Sequence, residues 1–503
     1  MTGLDQRMSI QNKNVFQEVF LSESDTTRSV SQMVRQGTAR KIGPRLYTRN
    51  MSEPVEAIIA RNRWQIIDML APAGVISYRT ALESQPAEDG SVFVTCNYRK
   101  TTELPGLRIV RISGVGPAEG DMPFIGGLHM ASPSRFFLEN LSHTKGKEGA
   151  TKAAGQKAVE EKLAGILRIK GESELNRIRD LARRIAADIG FEKEFSLLDR
   201  LIGSLLQTQK AALKSPVATS YSQGEPYDPL RLEQFEALRS ALARTVLPTR
   251  HRTYEPGAAF YNESFFDAYF SNFIEGTEFE VDEALGIVFS GVIPQSRPED
   301  AHDILGTWRV VGSLVDLQRL PADVSSFLDL LRRRHMSILG GRPDKRPGEF
   351  KEKSNRAGST FFVAPELVKG TLAQGFSFYK SLSEPLARAL FMMYLISEVH
   401  PFDDGNGRIA RAMMNAELVA AGVCRIMIPS VYRNEYISAL KLLSHHKDPS
   451  AFLRVMSVAQ DFVSRIDFSE LADARRVLEA CNAFERPADN VKLMMPFNVK
   501  RET

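Results

Sequence analysis

The segment HPFDDGNGRIAR, residues 400–411, decides the fold because its composition requires a tight loop between two helices. The run before it, Leu386 to Val399, is largely apolar, which predicts a buried helix that Pro401 ends. The run after it, Arg408 to Ala421, has helical spacing, and Gly422 follows as a helix-ending residue. We therefore predict a helix, a glycine-bearing loop and a second helix.

The loop carries groups that bind phosphate. The glycines of Gly405-Asn406-Gly407 allow backbone N–H groups to turn inward as an anion nest. This nest lies at a helix N-terminus, where the helix dipole also favours a phosphate. Arg408 and Arg411 are three residues apart on one helix face, and each planar guanidinium can hold a phosphate.

Two further side chains supply chemistry. Asp404 precedes the nest, where a carboxylate can hold Mg2+ against phosphate oxygens, and His400 is a base near neutral pH. Taken singly, a histidine at a helix end is usually a cap, GNG is usually a turn, and arginines on a helix face usually contact water. Twelve contiguous residues that meet every requirement favour a phosphoryl or nucleotidyl transfer site.

The segment resembles the signature of the Fic family, H-x-F-x-[DE]-G-N-G-R-x-x-R, at every specified position. The resemblance implies a helical core with a β-hairpin flap, and transfer of AMP from Mg-ATP to a Ser, Thr or Tyr hydroxyl of a protein. It implies that His400 deprotonates the hydroxyl, that Phe402 anchors the loop and that Asp404 binds Mg2+. The phosphate contacts it implies are Gly405, Asn406 and Gly407 on the α- and β-phosphates, Arg408 on the β-phosphate and Arg411 on the γ-phosphate.

A flap is expected upstream of the motif. Pro347–Lys351 resembles the family's segment before the flap, and the chain from Gly358 to Val363 would be the target-facing strand. The predicted flap residues are Gly358, Ser359, Thr360, Phe361 and Phe362. A flap holds its protein target by main-chain pairing, and the alternative is a plain structural hairpin. Downstream, Tyr436 resembles an adenosine-side residue, and the alternative is a core tyrosine.

An inhibitory helix is expected before the core. Four aromatic residues between Ser264 and Glu275 recur at helical spacing, and Ser271 and Glu275 share the other face. Ser271 to Gly276 resembles the inhibitory motif of Fic proteins, [ST]-x-x-x-E-[GN], in its second class. The resemblance implies that Glu275 pairs with Arg411 and repels the γ-phosphate. The alternatives are an ordinary helix end with a solvated glutamate, or a glutamate that also orients water for AMP removal.

The N-terminal region is basic. The stretch from Arg28 to Ser52 is cationic and lacks acidic residues, and it predicts a short helix followed by two short strands around Gly43-Pro44. Residues 28–50 resemble the winged-helix segment of AbiEi-type antitoxins. The candidate DNA-binding residues are Arg35, Arg40, Lys41 and Arg45. A solvated basic face or a protein-binding winged helix are the alternatives.

Composition places the chain among soluble multidomain proteins. It has 503 residues, 43% hydrophobic and 25% charged, and a net charge of +4 that identifies no partner. Three scattered cysteines, no apolar leader and no apolar run of ~20 residues favour a cytoplasmic location without a membrane partner. The predicted regions are a polar leader (1–25), a winged-helix/AbiEi-like domain (26–141), a linker (142–155), a helical middle region (156–250), a Fic domain with inhibitory helix (251–468) and a C-terminal helix and tail (469–503).

We therefore predict a mainly α fold with a Fic-type helical core and β-hairpin flap, plus an N-terminal α/β winged-helix-like domain. The predicted function is an autoinhibited protein adenylyltransferase that uses Mg2+ and ATP and modifies a protein target or itself. The alternative is a DNA-binding regulator or toxin-antitoxin-type protein with a nucleotide-sensing core. Some relatives transfer phosphate or phosphocholine, but Arg408 and Arg411 favour a nucleoside triphosphate. The resemblance also suggests a homodimer.

Overall fold

The secondary structure follows the hydrophobic patterns of the sequence in both halves of the chain. A computed structural model describes residues 18–143, 150–358, 360–488 and 491–496, and it separates into two units, Met1–Gly224 and Glu225–Thr503. Several predicted features lie outside the described residues: most of the leader (1–17), the centre of the linker (144–149), Ser359 of the flap, and parts of the C-terminal tail (489–490 and 497–503).

The N-terminal unit is mixed α/β. Its strands are β1 (Val19–Leu21), β2 (Arg40–Gly43), β3 (Leu46–Thr48), β4 (Val75–Ile76), β5 (Ser91–Cys96), β6 (Lys100–Leu104), β7 (Leu107–Ser113), β8 (Met122–Pro123) and β9 (His129–Met130). Its helices are α1 (Thr27–Arg35), α2 (Val55–Arg61), α3 (Arg63–Leu70), α4 (Tyr78–Glu83), α5 (Pro133–Leu141), α6 (Gln156–Lys170), α7 (Glu172–Ile189), α8 (Glu192–Leu205) and α9 (Pro216–Ser222). A small antiparallel sheet has the order β1-β3-β2, and a mixed sheet has the order β6-β7-β5-β4-β9-β8.

The mixed sheet is organised around β5. Every residue of β5 is buried, as expected for a central strand, whereas β7 alternates between buried and half-exposed residues. These two strands are parallel, with Ser91 opposite Arg108. One core forms where the sheet packs on α2 and α3, and it includes Ile58, Ile59, Ile66, Ile67, Val92, Val94 and Ile109.

Three elements of this unit differ from the sequence expectations. Strand β1 lies in the predicted polar leader because Val19 is fully buried and pairs with Thr48. The near-helical spacing of apolar residues predicts one helix from Glu53 to Leu70. The structure has two helices there, because the chain leaves helical geometry at Asn62, whose side chain binds Glu18. Strand β6 was not expected, since its sequence KTTEL is mostly polar and its antiparallel pairing with β7 defines it.

The C-terminal unit is almost entirely helical. Its helices are α10 (Pro229–Arg244), α11 (Ala258–Ile274), α12 (Val281–Ser290), α13 (Pro298–Val311), α14 (Leu314–Leu317), α15 (Val324–Ile338), α16 (Val368–Lys380), α17 (Pro385–Val399), α18 (Asn406–Ala420), α19 (Arg433–His446), α20 (Ser450–Ser464) and α21 (Leu471–Ala480). Short 3-10 turns cover Pro343–Lys345, Pro365–Leu367 and Ser430–Tyr432, and β10 (Arg356–Ala357) pairs with β11 (Thr360–Phe361) as a hairpin. No helix among the described residues has the length and apolar character needed to cross a bilayer.

The predicted middle region, 156–250, is divided between the two units. Helices α6 to α9 belong to the first unit, where Leu163 and Leu201 share a buried cluster with Phe137. Helix α10 belongs to the second, where Phe235 packs edge-on against Phe391 and Tyr394 of α17. The predicted fold class is confirmed as mainly helical with an N-terminal α/β region. The assignment of that region to the winged-helix type stays a prediction.

Candidate active site

The motif loop joins two buried helices, α17 and α18, as the sequence predicts. His400 ends α17 with a left-handed backbone (φ +52°), and its Nδ1 lies 3.3 Å from the Ser397 carbonyl oxygen. The flap residue Phe362 stacks on the imidazole, with ring centroids 3.7 Å apart. Burial lowers the pKa of His400 to about 4, so the ring is neutral at pH 7.

Hydrogen bonds within the loop hold it in one conformation. The Asn406 side chain accepts from the Phe402 N–H and donates to the Phe402 carbonyl, each at 2.9 Å. The fully buried Phe402 ring stacks on His335 with centroids 3.6 Å apart. His335 accepts from the Gly348 N–H through Nδ1, which leaves Nε2 to donate to the Asp404 carbonyl at 2.9 Å. Both polar atoms of the Asn406 side chain are hydrogen bonded to Phe402 within the loop, so only the backbone of Asn406 can face a ligand.

The glycine turn leaves the first N–H groups of α18 without a side-chain cap. Gly405 takes a left-handed conformation (φ +71°) immediately before the helix. A Cβ atom on Gly407 would lie 2.1 Å from Oε1 of Glu275, so no other residue fits there without displacing the carboxylate. The carboxylate of Glu275 therefore lies against the N-terminus of α18, where the helix dipole favours an anion.

Arg411 is held by the helix that carries the predicted inhibitory motif. Its guanidinium donates to the Ser271 hydroxyl at 3.0 Å, to the Ser271 carbonyl at 2.8 Å and to Oε1 of Glu275 at 2.7 Å. Burial alone would raise the pKa of Glu275. The charge of Arg411 and its hydrogen bond to the carboxylate have the larger effect, and the pKa of Glu275 lies below its usual value. Glu275 is therefore ionised at neutral pH. Gly276, which follows it, has φ +94°.

Arg408 has a buried partner that the motif does not contain. Its guanidinium lies 2.6 Å from Oδ2 of Asp303, and 3.5 Å from oxygens of both Asn272 and Asp404. Asp303 is 1% exposed and also pairs with Arg342 at 2.7 Å. The cation is therefore compensated by a carboxylate from α13 before any phosphate is bound.

A cavity of about 210 Å3 opens beside the motif. Its lining residues come from the end of α11, the flap, α17, the motif and α19: Glu275, Ala357, Thr360, Phe362, Ser397, Glu398, His400, Gly407, Arg411, Tyr436, Ile437, Leu440, Lys441 and Ser444. Tyr436 is 1% exposed and its hydroxyl donates to the Met393 sulfur at 3.7 Å, and burial raises the pKa of this hydroxyl while the charge of Arg411 opposes the change. The lining combines charged residues such as Arg411 with apolar ones such as Ile437 and Leu440, a combination that suits a nucleotide.

The flap hairpin covers this cavity. Gly358 turns the chain with φ +59°, and β11 contains Thr360 and Phe361. The Thr360 hydroxyl lies 2.9 Å from Nε2 of His445, and Arg231 of α10 donates to the Phe361 carbonyl. The flap is therefore attached to both α10 and α19.

Asp404 has the exposure that a metal ligand needs. Its side chain is 40% exposed, and its Oδ1 accepts from the Gly405 N–H at 2.6 Å. Among the described residues, no three histidine, cysteine or acidic side chains cluster closely enough to hold a metal by themselves. One carboxylate fits Mg2+, since this ion is commonly held by one or two carboxylates together with substrate phosphates and water.

The predicted DNA-binding residues lie in the N-terminal unit. Arg35 and Lys41 are exposed, whereas Arg40 donates to the Asn50 carbonyl at 2.8 Å. Arg45 is exposed as well but donates to the Ser22 carbonyl at 2.9 Å. Two of the four guanidinium or ammonium groups are thus engaged with the protein's own backbone, and DNA binding stays a prediction.

The sequence pattern did not indicate a role for Asp303 or His335, and Lys351 was noted only as the end of the segment before the flap. Asp303 and His335 lie on the buried faces of α13 and α15, among residues such as Ile304 and Leu331. A charged or titratable residue at a core position of an amphipathic helix is the signal that was available. It says that a partner exists but does not say which residue it is.

Comparison with known proteins identifies the motif region. Residues 325–418 match the Fic/DOC family. Protein adenylyltransferase fic-1 of Caenorhabditis briggsae is 28% identical over 176 residues, which are 33% of this chain and 34% of that protein. Protein adenylyltransferase Fic of Drosophila willistoni is 29% identical over 241 residues, 46% of each chain. This chain thus spans less than half the length of these curated relatives.

Among solved structures, Fic-1 from C. elegans aligns with a TM-score of 0.35 and 20% identity, over 65% of this chain and 88% of that one. A Fic domain containing signaling protein from Bacteroides thetaiotaomicron aligns with a TM-score of 0.34 and 19% identity, over 50% of this chain and 94% of that one.

Proposed function

We infer that this chain, which carries a Fic/DOC family domain related to protein adenylyltransferases, is itself a protein adenylyltransferase. In this proposal it transfers AMP from Mg-ATP to a hydroxyl side chain of a protein. We further propose that Glu275 holds it in an inhibited state. One observation carries this proposal: the Glu275 carboxylate lies 2.7 Å from Arg411 and against Gly407, in the same cavity as a neutral His400.

His400 is the base in this proposal. Its Nδ1–H is assigned to the Ser397 carbonyl, which leaves Nε2 free to accept a proton. As Nε2 takes the proton of the target hydroxyl, the hydroxyl oxygen bonds to the α-phosphorus of ATP. The bond from that phosphorus to the β-phosphate bridging oxygen breaks, and pyrophosphate leaves.

Charged and backbone groups position the triphosphate. The N–H groups at the start of α18 and the guanidinium of Arg411 lie at the cavity, where they can bind the anionic phosphates. Arg408 is held in place by Asp303, so its orientation is set before a nucleotide arrives. Asp404 would hold Mg2+ together with the phosphates. That ion would neutralise part of the charge on the phosphate oxygens.

The inhibition follows from like charges. Glu275 and a terminal phosphate both require the guanidinium of Arg411, and the carboxylate already occupies it. A bound triphosphate must displace the carboxylate or accept a different pose, in which the α-phosphorus is not aligned with the hydroxyl. Whether the same glutamate also orients water for AMP removal, and whether the protein dimerises, stay predictions.

Mass spectrometry of the Glu275→Gly variant incubated with ATP and Mg2+ tests the function. We expect the protein, or an added target, to gain the mass of one AMP group. ATP labelled at the α-phosphate should label the protein, and ATP labelled at the γ-phosphate should not, since pyrophosphate leaves. Label from the γ-phosphate alone would indicate a kinase, and no label from either would contradict a transferase.

The pH dependence of the transfer rate should report the neutral imidazole. Only unprotonated His400 can accept a proton, and burial lowers its pKa to about 4. The initial rate of Glu275→Gly should therefore stay level from about pH 7 to about pH 5.5 and fall as the pH approaches 4. Circular dichroism at each pH separates this loss from unfolding. A midpoint near the ordinary value of 6.5 would contradict the assignment.

A further inference from the structure

The backbone at His400 is held in an uncommon conformation. Its φ of +52° lies in the left-handed region, which a residue with a side chain adopts rarely and which persists only where its surroundings hold it. The helix itself supplies one restraint, the hydrogen bond from the His400 N–H to the Ile396 carbonyl at 2.9 Å. The direction of the imidazole depends on this conformation, because the ring is attached to the residue that departs from the helix.

Lys351, which precedes the flap, contacts the carbonyls of the residues on both sides of His400. Its backbone N–H donates to the Pro401 carbonyl at 2.9 Å, and its Nζ donates to the Val399 carbonyl at 3.4 Å. Nζ also donates to Oδ1 of Asn355 at 2.7 Å, and Asn355 donates to the Phe402 carbonyl at 2.9 Å. Lys351 and Asn355 thus hold three carbonyls near His400, those of Val399, Pro401 and Phe402.

The ammonium group of Lys351 is unusual for a structural lysine. The residue is 3% exposed, and its Nζ donates to two neutral oxygens rather than to a carboxylate. Burial and the nearby charge of Arg231 lower the pKa of Lys351 to about 7, while Asp403 acts in the opposite direction. Its positive charge in turn lowers the pKa of His400. Buried lysines without a paired carboxylate are rare because desolvation disfavours the charge.

We propose that Lys351 is a positioning residue for His400: through the Val399 and Pro401 carbonyls it keeps the left-handed backbone that directs the imidazole into the cavity. The inference rests on the proposed function, in which His400 is the base. It predicts that loss of the side-chain donor impairs the chemical step and leaves nucleotide binding intact. Lys351 does not line the cavity, so its effect on a bound nucleotide is indirect.

Lys351→Met in the Glu275→Gly background tests this role, because methionine keeps most of the length and lacks the donor. Turnover with labelled ATP should fall at least tenfold while the KM for ATP stays within twofold. Lys351→Arg should recover part of the turnover, since a guanidinium can donate to the Val399 carbonyl and to Oδ1 of Asn355. The matched control is Lys353→Met, at an exposed position two residues away, which should keep full turnover. Unchanged turnover in Lys351→Met, or an equal change in KM, would overturn the proposal.

A measurement without ATP separates this inference from the proposed function. The imidazole Cε1–H resonance of His400, assigned by its loss in His400→Ala, should shift in Lys351→Met and stay unchanged in Lys353→Met. If no variant transfers AMP but the resonance shifts, the proposed function fails and the positioning role holds. If the resonance does not shift, the positioning role fails. Should Lys351→Met not fold by circular dichroism, Lys351→Gln replaces it under the same criteria.

Discussion

Replacing Glu275 with glycine should raise the rate of AMP transfer by roughly tenfold to a hundredfold. The carboxylate and Arg411 share a charge-assisted hydrogen bond of 2.7 Å, a type of contact that contributes about 1.5–3 kcal/mol. ATP binding in the productive pose must first break this bond, and about 1.4 kcal/mol corresponds to a factor of ten. Glycine removes the competing anion and leaves Arg411 free for the terminal phosphate.

The same substitution should lower the melting temperature of the ATP-free protein. Arg411 is 3% exposed, so removal of its carboxylate partner leaves a buried charge without compensation. Mg-ATP should restore the melting temperature in Glu275→Gly by binding to the folded state, and it should do so less in the parent.

Label incorporation measures the transfer rate of Glu275→Gly, and differential scanning fluorimetry measures its melting temperature. The matched control is Glu280→Gly, a glutamate-to-glycine change at an exposed position shortly after the inhibitory motif. It removes the same charge and adds the same backbone freedom, and it should match the parent in both assays. Equal rates in Glu275→Gly and the parent would show that the pair with Arg411 is structural only.

The sequence predicted the local structure of the motif, which is contiguous along the chain. Residues 400–411 needed only local rules, because a proline, two glycines and an apolar run determine a helix, a loop and a helix. The pairing of Glu275 with Arg411 needed the resemblance as well, since nothing in either segment identifies the other. The aromatic spacing predicted α11, but only the inhibitory motif directed attention to its last turn.

The partners of Arg408 and His400 could not be predicted in this way. Helical spacing places Arg408 on the same face as Arg411, but it does not say that α13 brings Asp303 to 2.6 Å. Lys351 is likewise a plain lysine in a polar segment until the fold buries it beside Val399. Such contacts join residues far apart in sequence, so they depend on the packing of whole helices rather than on local pattern.

The N-terminal unit also contains elements that follow from local sequence and elements that depend on packing. The apolar and β-branched residues in 91–97 and 107–113 predict two strands from the sequence alone, and the structure has β5 and β7 there. Strand β6 is mostly polar and is a strand because β7 pairs with it, from Lys100 opposite Arg111 to Leu104 opposite Leu107. The predicted leader contributes β1 for a similar reason, since one apolar residue, Val19, fills the core beside β3.

His400→Ala in the Glu275→Gly background should lower the transfer rate by roughly 10²- to 10⁴-fold, the usual contribution of a general base. The imidazole is the neutral group with an open nitrogen at the cavity, and its removal leaves the target hydroxyl without a proton acceptor. ATP binding should change little, because the phosphate contacts come from Arg411 and the start of α18. Label incorporation gives the rate, and calorimetric titration with Mg-ATP gives the affinity.

His400→Asn is the variant that separates chemistry from backbone conformation. Asparagine tolerates the left-handed region better than alanine does, so it preserves the φ of +52° at this position, yet its amide cannot accept the proton as a base. If His400 is the base, both variants lose the rate to a similar extent and both still bind ATP. Recovery of the rate in His400→Asn would instead mean that the residue contributes only the shape of the loop, and the assignment of a base to this position would have to be abandoned.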